Sequence, residues 1–152
     1  KQMRFSPVLV NGDLRTENVL IDDETGNLAA LIDWQGTHLG VGVEDLLRIS
    51  LFALSPDERR ASVYMLVAEM YDSLVENLGG DEPPYTVEML QELYDLLFPH
   101  CAFFFAGPCI MLIMNQAIDP TLSDEERETK KDVELAKVLG ALQDIVKYDA
   151  KN

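Results

Sequence analysis

Hydrophobic positions along the chain fall into two regimes. Up to about residue 33 they come in short β-favouring runs, PVLVN at 7–11, NVLID at 18–22 and LAALI at 28–32. The turn sequence DDETGN between the last two predicts a hairpin over residues 18–32. Gly36, Gly40 and Gly42 then predict a loop, and beyond about residue 43 the apolar spacing becomes helical.

The helical part is punctuated by explicit start and stop signals. Ser55 supplies an N-cap oxygen, Pro56 sits at the first helical position where its missing N–H costs nothing, and Asp57 and Glu58 face the positive helix end. A helix over about 56–78 follows, ended by Gly79 and Gly80. Thr86 caps a helix expected to run to about Phe98, where Pro99 intervenes. The apolar run from Cys101 to Met114 is too short for a bilayer span of about 20 residues and reads as a core helix. Ser123 with Asp124, Glu125 and Glu126 repeats the capping pattern for a last helix. Its Leu135, Val138, Leu139, Leu142, Ile145 and Val146 recur at helical spacing. The expectation is one α+β, mainly helical domain over residues 1–152, with a β-segment at 7–43 and a helical part at 44–152.

Charge narrows the range of partners. Twelve Lys plus Arg against 27 Asp plus Glu leave a net charge of −15, which repels polyanions and offers no basic stripe, so nucleic acid is not an expected partner. The same balance can steer cations toward the protein. The two cysteines, Cys101 and Cys109, lie in one apolar run without zinc-ligand spacing, and no signal-peptide pattern opens the chain. A cytoplasmic protein without a membrane span is expected. With Lys1 in place of an initiating Met, the chain is expected to begin inside a longer protein.

The informative stretch is VLVNGDLRTENVLID, followed after the hairpin turn by LAALIDWQG. A loop after a strand can aim Asp13 at a substrate hydroxyl, while Asn18, five positions on, points back to the same space. The hairpin returns the chain so that Asp33 lies beside Asn18, and two oxygen ligands come within reach of one divalent cation. Mg²⁺ takes a few hard oxygen ligands from protein and the rest from phosphates and water, which suits this trio. Phosphoryl transfer needs mainly positioning and charge neutralisation, so a carboxylate for the acceptor and a metal for the phosphates form a minimum set.

The segment NGDLRTENVLIDDETGNLAALIDWQGTHLGVGVEDLLRI closely resembles the catalytic segment of the aminoglycoside phosphotransferase and choline kinase group, and most of all its ecdysteroid kinase-like branch, the CHK kinase-like family. The resembling features are IDWQ, the Gly-Asp core before an Asn, and the downstream EDLLR; they cover about residues 7–50. The resemblance implies the C-terminal lobe of a protein kinase-like fold, with Asp13 as catalytic base, Asn18 and Asp33 as magnesium ligands, and ATP as co-substrate. It implies that Asp45 braces the catalytic loop through backbone hydrogen bonds. Asn11 stands where the family usually has His, in a supporting position that an amide can also fill.

The family's glycine-rich loop and strand lysine belong to an N-terminal nucleotide lobe, which has no counterpart in this chain, so the fragment alone is expected to be inactive or nearly so. The expected function is ATP- and magnesium-dependent phosphorylation of a hydroxyl on a small molecule resembling choline, an aminoglycoside or an ecdysteroid. The alternative is a degenerate, pseudokinase-like binding or regulatory module, and a metal-dependent hydrolase is a third reading. An uncovered apolar face near residues 7–35 would favour a homodimer. Arg15 reads as a surface ion-pair partner, His38 and His100 as packing residues, Trp34 as a packing residue against the helices, and Phe103, Phe104 and Phe105 as core.

Overall fold

The computed structural model describes residues 6–149, which form a mainly helical α+β structure. Two small antiparallel ladders occupy one end: β1 (Val8–Val10) pairs with β4 (His38–Gly40), and β2 (Val19–Ile21) pairs with β3 (Leu28–Leu31). Four helices follow, α1 (Val43–Ala53), α2 (Pro56–Asn77), α3 (Val87–Ile118) and α4 (Asp124–Asp149).

The β2–β3 hairpin lies where the turn chemistry places it. Asp22 Oδ1 accepts the N–H groups of Glu24 and Thr25 and the Thr25 hydroxyl, and Gly26 takes the positive φ of 70° that the turn requires. The segment expected to be a plain loop around Gly36 to Gly42 contains β4 instead. In register, Val8 faces Gly40, Leu9 faces Leu39 and Val10 faces His38. Three residues set among Gly36, Gly40 and Gly42 carry no local strand signal; the pairing is made by a partner some thirty positions upstream.

Helix α2 begins with a full capping box between Ser55 and Glu58, with Pro56 in its first turn. Ser123 and Glu126 cap α4 in the same reciprocal way. The helix expected to stop at Pro99 does not stop: α3 runs through Pro99 and Pro108 to Ile118. Each interior proline costs about 3 kcal/mol. The packing that offsets this is visible in Phe98, Ala102, Phe105 and Cys109, all buried on one side of α3. Phe105 meets Phe52 of α1 edge to face at 4.8 Å between centroids, and Phe98 meets Tyr148 of α4 at 4.5 Å.

The run Cys101–Met114 is thus helical but only half a core helix, because Phe103, Phe104, Ile110, Met111 and Met114 are exposed on its other side. Helix α3 is long and apolar enough to cross a membrane, a test that the core helix of a water-soluble protein also passes. On α4 the apolar spacing misplaces the buried side. Leu135, Leu139, Leu142 and Val146 are exposed, while Val138, Gly140, Ala141 and Asp144 are buried. A Cβ at Gly140 would collide with Pro56, so close approach of α2 and α4 sets that face. Asp144 then receives Arg59 Nη2 at 2.8 Å and Arg60 Nε at 3.0 Å from α2, and Arg59 lies over the Phe98 ring. Burial alone would raise the Asp144 carboxyl, but Arg59, Lys147 and Arg60 together hold it below the ordinary value.

Apolar side chains also stand exposed on the β-end, with Leu9, Leu20, Ile21, Leu28, Ile32, Trp34 and Leu39 among them. Trp34, expected to pack against the helices, is nearly half exposed, and its indole N–H donates instead to the Leu31 carbonyl at 2.8 Å.

Candidate functional site

The loop between β1 and β2 is shaped by hydrogen bonds from α1 and from its own side chains. Asp45, in the first turn of α1, accepts the Asn11 N–H at 2.7 Å on Oδ2 and the Gly12 N–H at 3.0 Å on Oδ1. Gly12 has φ of 82°, and a Cβ there would run into the Gly36 carbonyl, so only glycine fits this turn between the loop and β4. Asn11 is almost fully buried. Its Oδ1 accepts the Asp13 N–H at 3.0 Å, and its Nδ2 donates a long bond of 3.5 Å to the Asp33 carbonyl. One side chain therefore ties together the two backbone segments that carry Asp13 and Asp33.

A single 3₁₀ turn, Thr16–Asn18, closes the loop and turns Asn18 inward. Its amide Nδ2 donates to the Asp13 carbonyl at 2.9 Å and, more weakly, to Asp13 Oδ2 at 3.4 Å. With the nitrogen so engaged, Asn18 Oδ1 accepts nothing among the described residues. The Asn18 carbonyl accepts the Ile32 N–H at 3.0 Å, which brings Asp33 to the same end of the hairpin. Asp33 has φ of 58°, unusual for a residue with a side chain. Gln35 Nε2 donates to its Oδ2 at 3.4 Å, and its Oδ1 has no partner among the described residues. Asp33 thus stands two residues past the end of β3 in a left-handed conformation, and Asn18, whose carbonyl holds Ile32, keeps a free amide oxygen; carboxylate and amide oxygens are donors that a hard cation takes. No group of three or more His, Cys, Asp or Glu that could hold a metal occurs among the described residues; the donor set here mixes carboxylate with amide oxygen.

Asp13 is half-buried and opens onto a recess of about 50 Å³. Its walls are Arg48, Leu51 and Phe52 from one stripe of α1, and Cys101, Phe104, Phe105 and Pro108 from one stripe of α3. Burial pushes the Cys101 thiol up, so it stands there as a neutral wall. Arg15 Nε lies 3.7 Å from Asp13 Oδ2, making Asp13 the acid that Arg15 pairs with. The sequence alone does not disclose this recess: Phe104 and Phe105 read only as core, and Arg48 reads only as the last residue of EDLLR. The signal was present in spacing, since Asp45, Arg48 and Phe52 lie three and four residues apart and share one helix face.

His38 also has partners that its isolation in the sequence hides. Nδ1 lies 2.9 Å from the Gly36 carbonyl and Nε2 lies 3.1 Å from Glu44 Oε2. Both contacts favour the protonated ring and raise its pKa above the ordinary value. The ring sits against Gly12 and so supports the loop from beneath. His100 lies outside this set, stacked near Phe104 with centroids 4.8 Å apart.

The comparisons with known proteins point in two directions by name. A family model described as "Uncharacterized oxidoreductase dhs-27" matches residues 1–152. An uncharacterized kinase-like protein of Caenorhabditis elegans is 28% identical over 141 residues, which cover 91% of this chain and 37% of that relative. The chain therefore spans little more than a third of the length of the curated relative it matches. No solved structure matches it significantly. With a family model covering all 152 residues, the chain belongs to the DUF1679 family.

Proposed function

We propose that this chain is the acceptor- and metal-holding lobe of a cytoplasmic ATP- and magnesium-dependent small-molecule kinase. The observation that carries the reading is the loop itself. Asp45, Asn11 and Asn18 spend five hydrogen bonds on fixing Asp13 at the mouth of a recess beside Asp33. In this reading Asp13 orients an acceptor hydroxyl and takes its proton as the oxygen bonds to the γ-phosphorus and the bond to ADP breaks. Asn18 Oδ1 and the Asp33 carboxylate would hold Mg²⁺, which would supply charge neutralisation for the phosphates. Asn11 keeps the two segments in register, in the supporting place of the His usual in the CHK kinase-like family. The kinase-like name of the C. elegans relative supports the same reading.

The oxidoreductase in the family's description has less support in these residues. Both strand pairs among the described residues are antiparallel. The turn after β1 carries Asp13 in place of the glycine-rich strand-to-helix turn of parallel dinucleotide-binding sheets.

The Arg15–Asp13 contact favours a second reading, a pseudokinase-like module in which the aspartate is engaged and no chemistry follows. Phosphoryl transfer from ATP by the full-length protein, measured against choline, aminoglycoside and ecdysteroid acceptors with and without Mg²⁺, separates the two. Magnesium-dependent phosphorylation of an alcohol supports the kinase; nucleotide binding without transfer supports the module; release of phosphate to water alone supports a hydrolase. We propose further that the apolar face of the β-end is covered by the rest of the longer protein. Uncovered, it pairs residues 1–152 as a homodimer, and a monomer across the micromolar range by light scattering would contradict this.

A further inference from the structure

The walls around Asp13 carry information about the acceptor. The recess that contains Asp13 adjoins a wider cleft of about 440 Å³ lined by Arg48, His100, Cys101, Phe104 and Pro108. The two share Arg48, Cys101, Phe104 and Pro108, so they form one continuous surface between α1 and α3. Its body is apolar: Leu51, Phe52, Phe104, Phe105 and Pro108.

Its charge is opposite in sign to that of the protein. In a chain of net charge −15, Asp13 is the one carboxylate among the lining residues, and Arg15 already opposes it at 3.7 Å. Arg48 makes no hydrogen bond or ion pair among the described residues, and its buried Nε has no partner. The acids three and four positions back on its own helix are both occupied, Asp45 by the Asn11 and Gly12 N–H groups and Glu44 by His38 and the Val41 N–H. The hollow of about 410 Å³ at the far end of α3 differs, because there Arg127 and Lys131 are paired with Asp124 and Glu128. A guanidinium lining a cleft with a donor to spare is a site for an acceptor's anionic group, since Arg matches a carboxylate in charge and geometry.

From this surface we infer that the acceptor is an apolar alcohol that also bears a carboxylate, its hydroxyl at Asp13, its hydrocarbon body against Phe104, Phe105 and Leu51, and its carboxylate on Arg48. The inference rests on the phosphotransfer reading for the hydroxyl and stands on Arg48 for the carboxylate. A cationic amino-alcohol is disfavoured by the same two arginines.

The test is calorimetric binding to the full-length protein of an ω-hydroxydecanoate, its methyl ester and the matching ω-hydroxyalkyl trimethylammonium, with phosphoryl transfer to each measured in parallel. The acid is expected to bind at least about 10-fold more tightly than the ester, as a charge-assisted bond implies, with the ammonium compound weakest. Arg48→Gln brings the acid-to-ester ratio to about one, and Arg48→Lys keeps part of the preference. Equal binding of acid and ester, binding of none, or a preference unchanged by Arg48→Gln overturns the inference. Should Arg48→Gln not fold, the wild-type comparison of acid, ester and ammonium decides alone. Arg48-dependent binding of the acid without any transfer sinks the kinase reading and leaves this one standing. Transfer to all three alcohols without preference does the reverse.

Discussion

The two ends of this molecule are held together by different physics. The helical body is closed by apolar burial, with Leu47, Leu51, Val67, Leu90, Tyr94 and Phe98 almost wholly out of solvent, and by one buried ion network at Asp144. The β-end buries little apolar surface besides Val10 and is held by directional bonds to Asn11, Asn18 and Asp45. Directional bonds fix atoms in place without contributing much net stability, roughly 1 kcal/mol each. A region built that way can hold side chains in unusual conformations, such as the left-handed Asp33, while the body supplies the stability that tolerates them.

Substitutions in the two regions should therefore separate stability from activity. The largest loss of stability is expected from Asp144→Ala, which leaves Arg59 buried without its counter-charge and should cost about 3–5 kcal/mol in denaturant unfolding. Because the folded-state pKa of Asp144 is lowered, its contribution is present above the unfolded carboxyl value and is lost as pH falls through the folded one. Wild-type stability should accordingly fall at acid pH by more than that of Asp144→Ala. A loss under about 1 kcal/mol would show that the body does not depend on the network.

Asp45→Ala comes next. It strips the Asn11 and Gly12 N–H groups of their acceptor in a half-buried setting, for about 1–3 kcal/mol. Amide hydrogen exchange should quicken at those two residues and not in α2 or α4. If Asp45→Ala unfolds the chain as severely as Asp144→Ala, the division between the two ends fails.

The smallest effect on stability is expected at His38. Its folded-state pKa is raised by the Gly36 carbonyl and by Glu44, so its contribution is fully present below the unfolded value of about 6.5 and disappears as pH rises through the folded one. An NMR titration should place the ring above 6.5, and Glu44→Gln should bring it back down. A ring that titrates at or below 6.5 in the wild type would remove His38 from the support of the loop.

What was legible in the sequence follows the same division. The β2–β3 hairpin and the starts of α2, α3 and α4 are written in local turn and capping residues, and so is the Asp13–Asn18 interval. The passage of α3 through Pro99 was not legible, because it depends on Phe98, Ala102 and Phe105 finding partners on α1 and α4. Strand β4 depends on β1 in the same way. The recess at Asp13 was the least legible part of the site, since its walls come from helices some forty and ninety residues downstream of the loop. Asn11 and Asp45 could be named from motif position, but the bonds that join Asn11 to both Asp13 and Asp33 are visible only in the fold.

Whether Asp13 serves chemistry and not folding is tested most directly by Asp13→Asn in the full-length protein. Unfolding free energy should stay within about 0.5 kcal/mol of the wild type. Magnesium-dependent phosphoryl transfer to an alcohol should fall about 10²- to 10⁴-fold, the range typical of a lost general base. Transfer at the wild-type rate by a variant of wild-type stability would contradict the account.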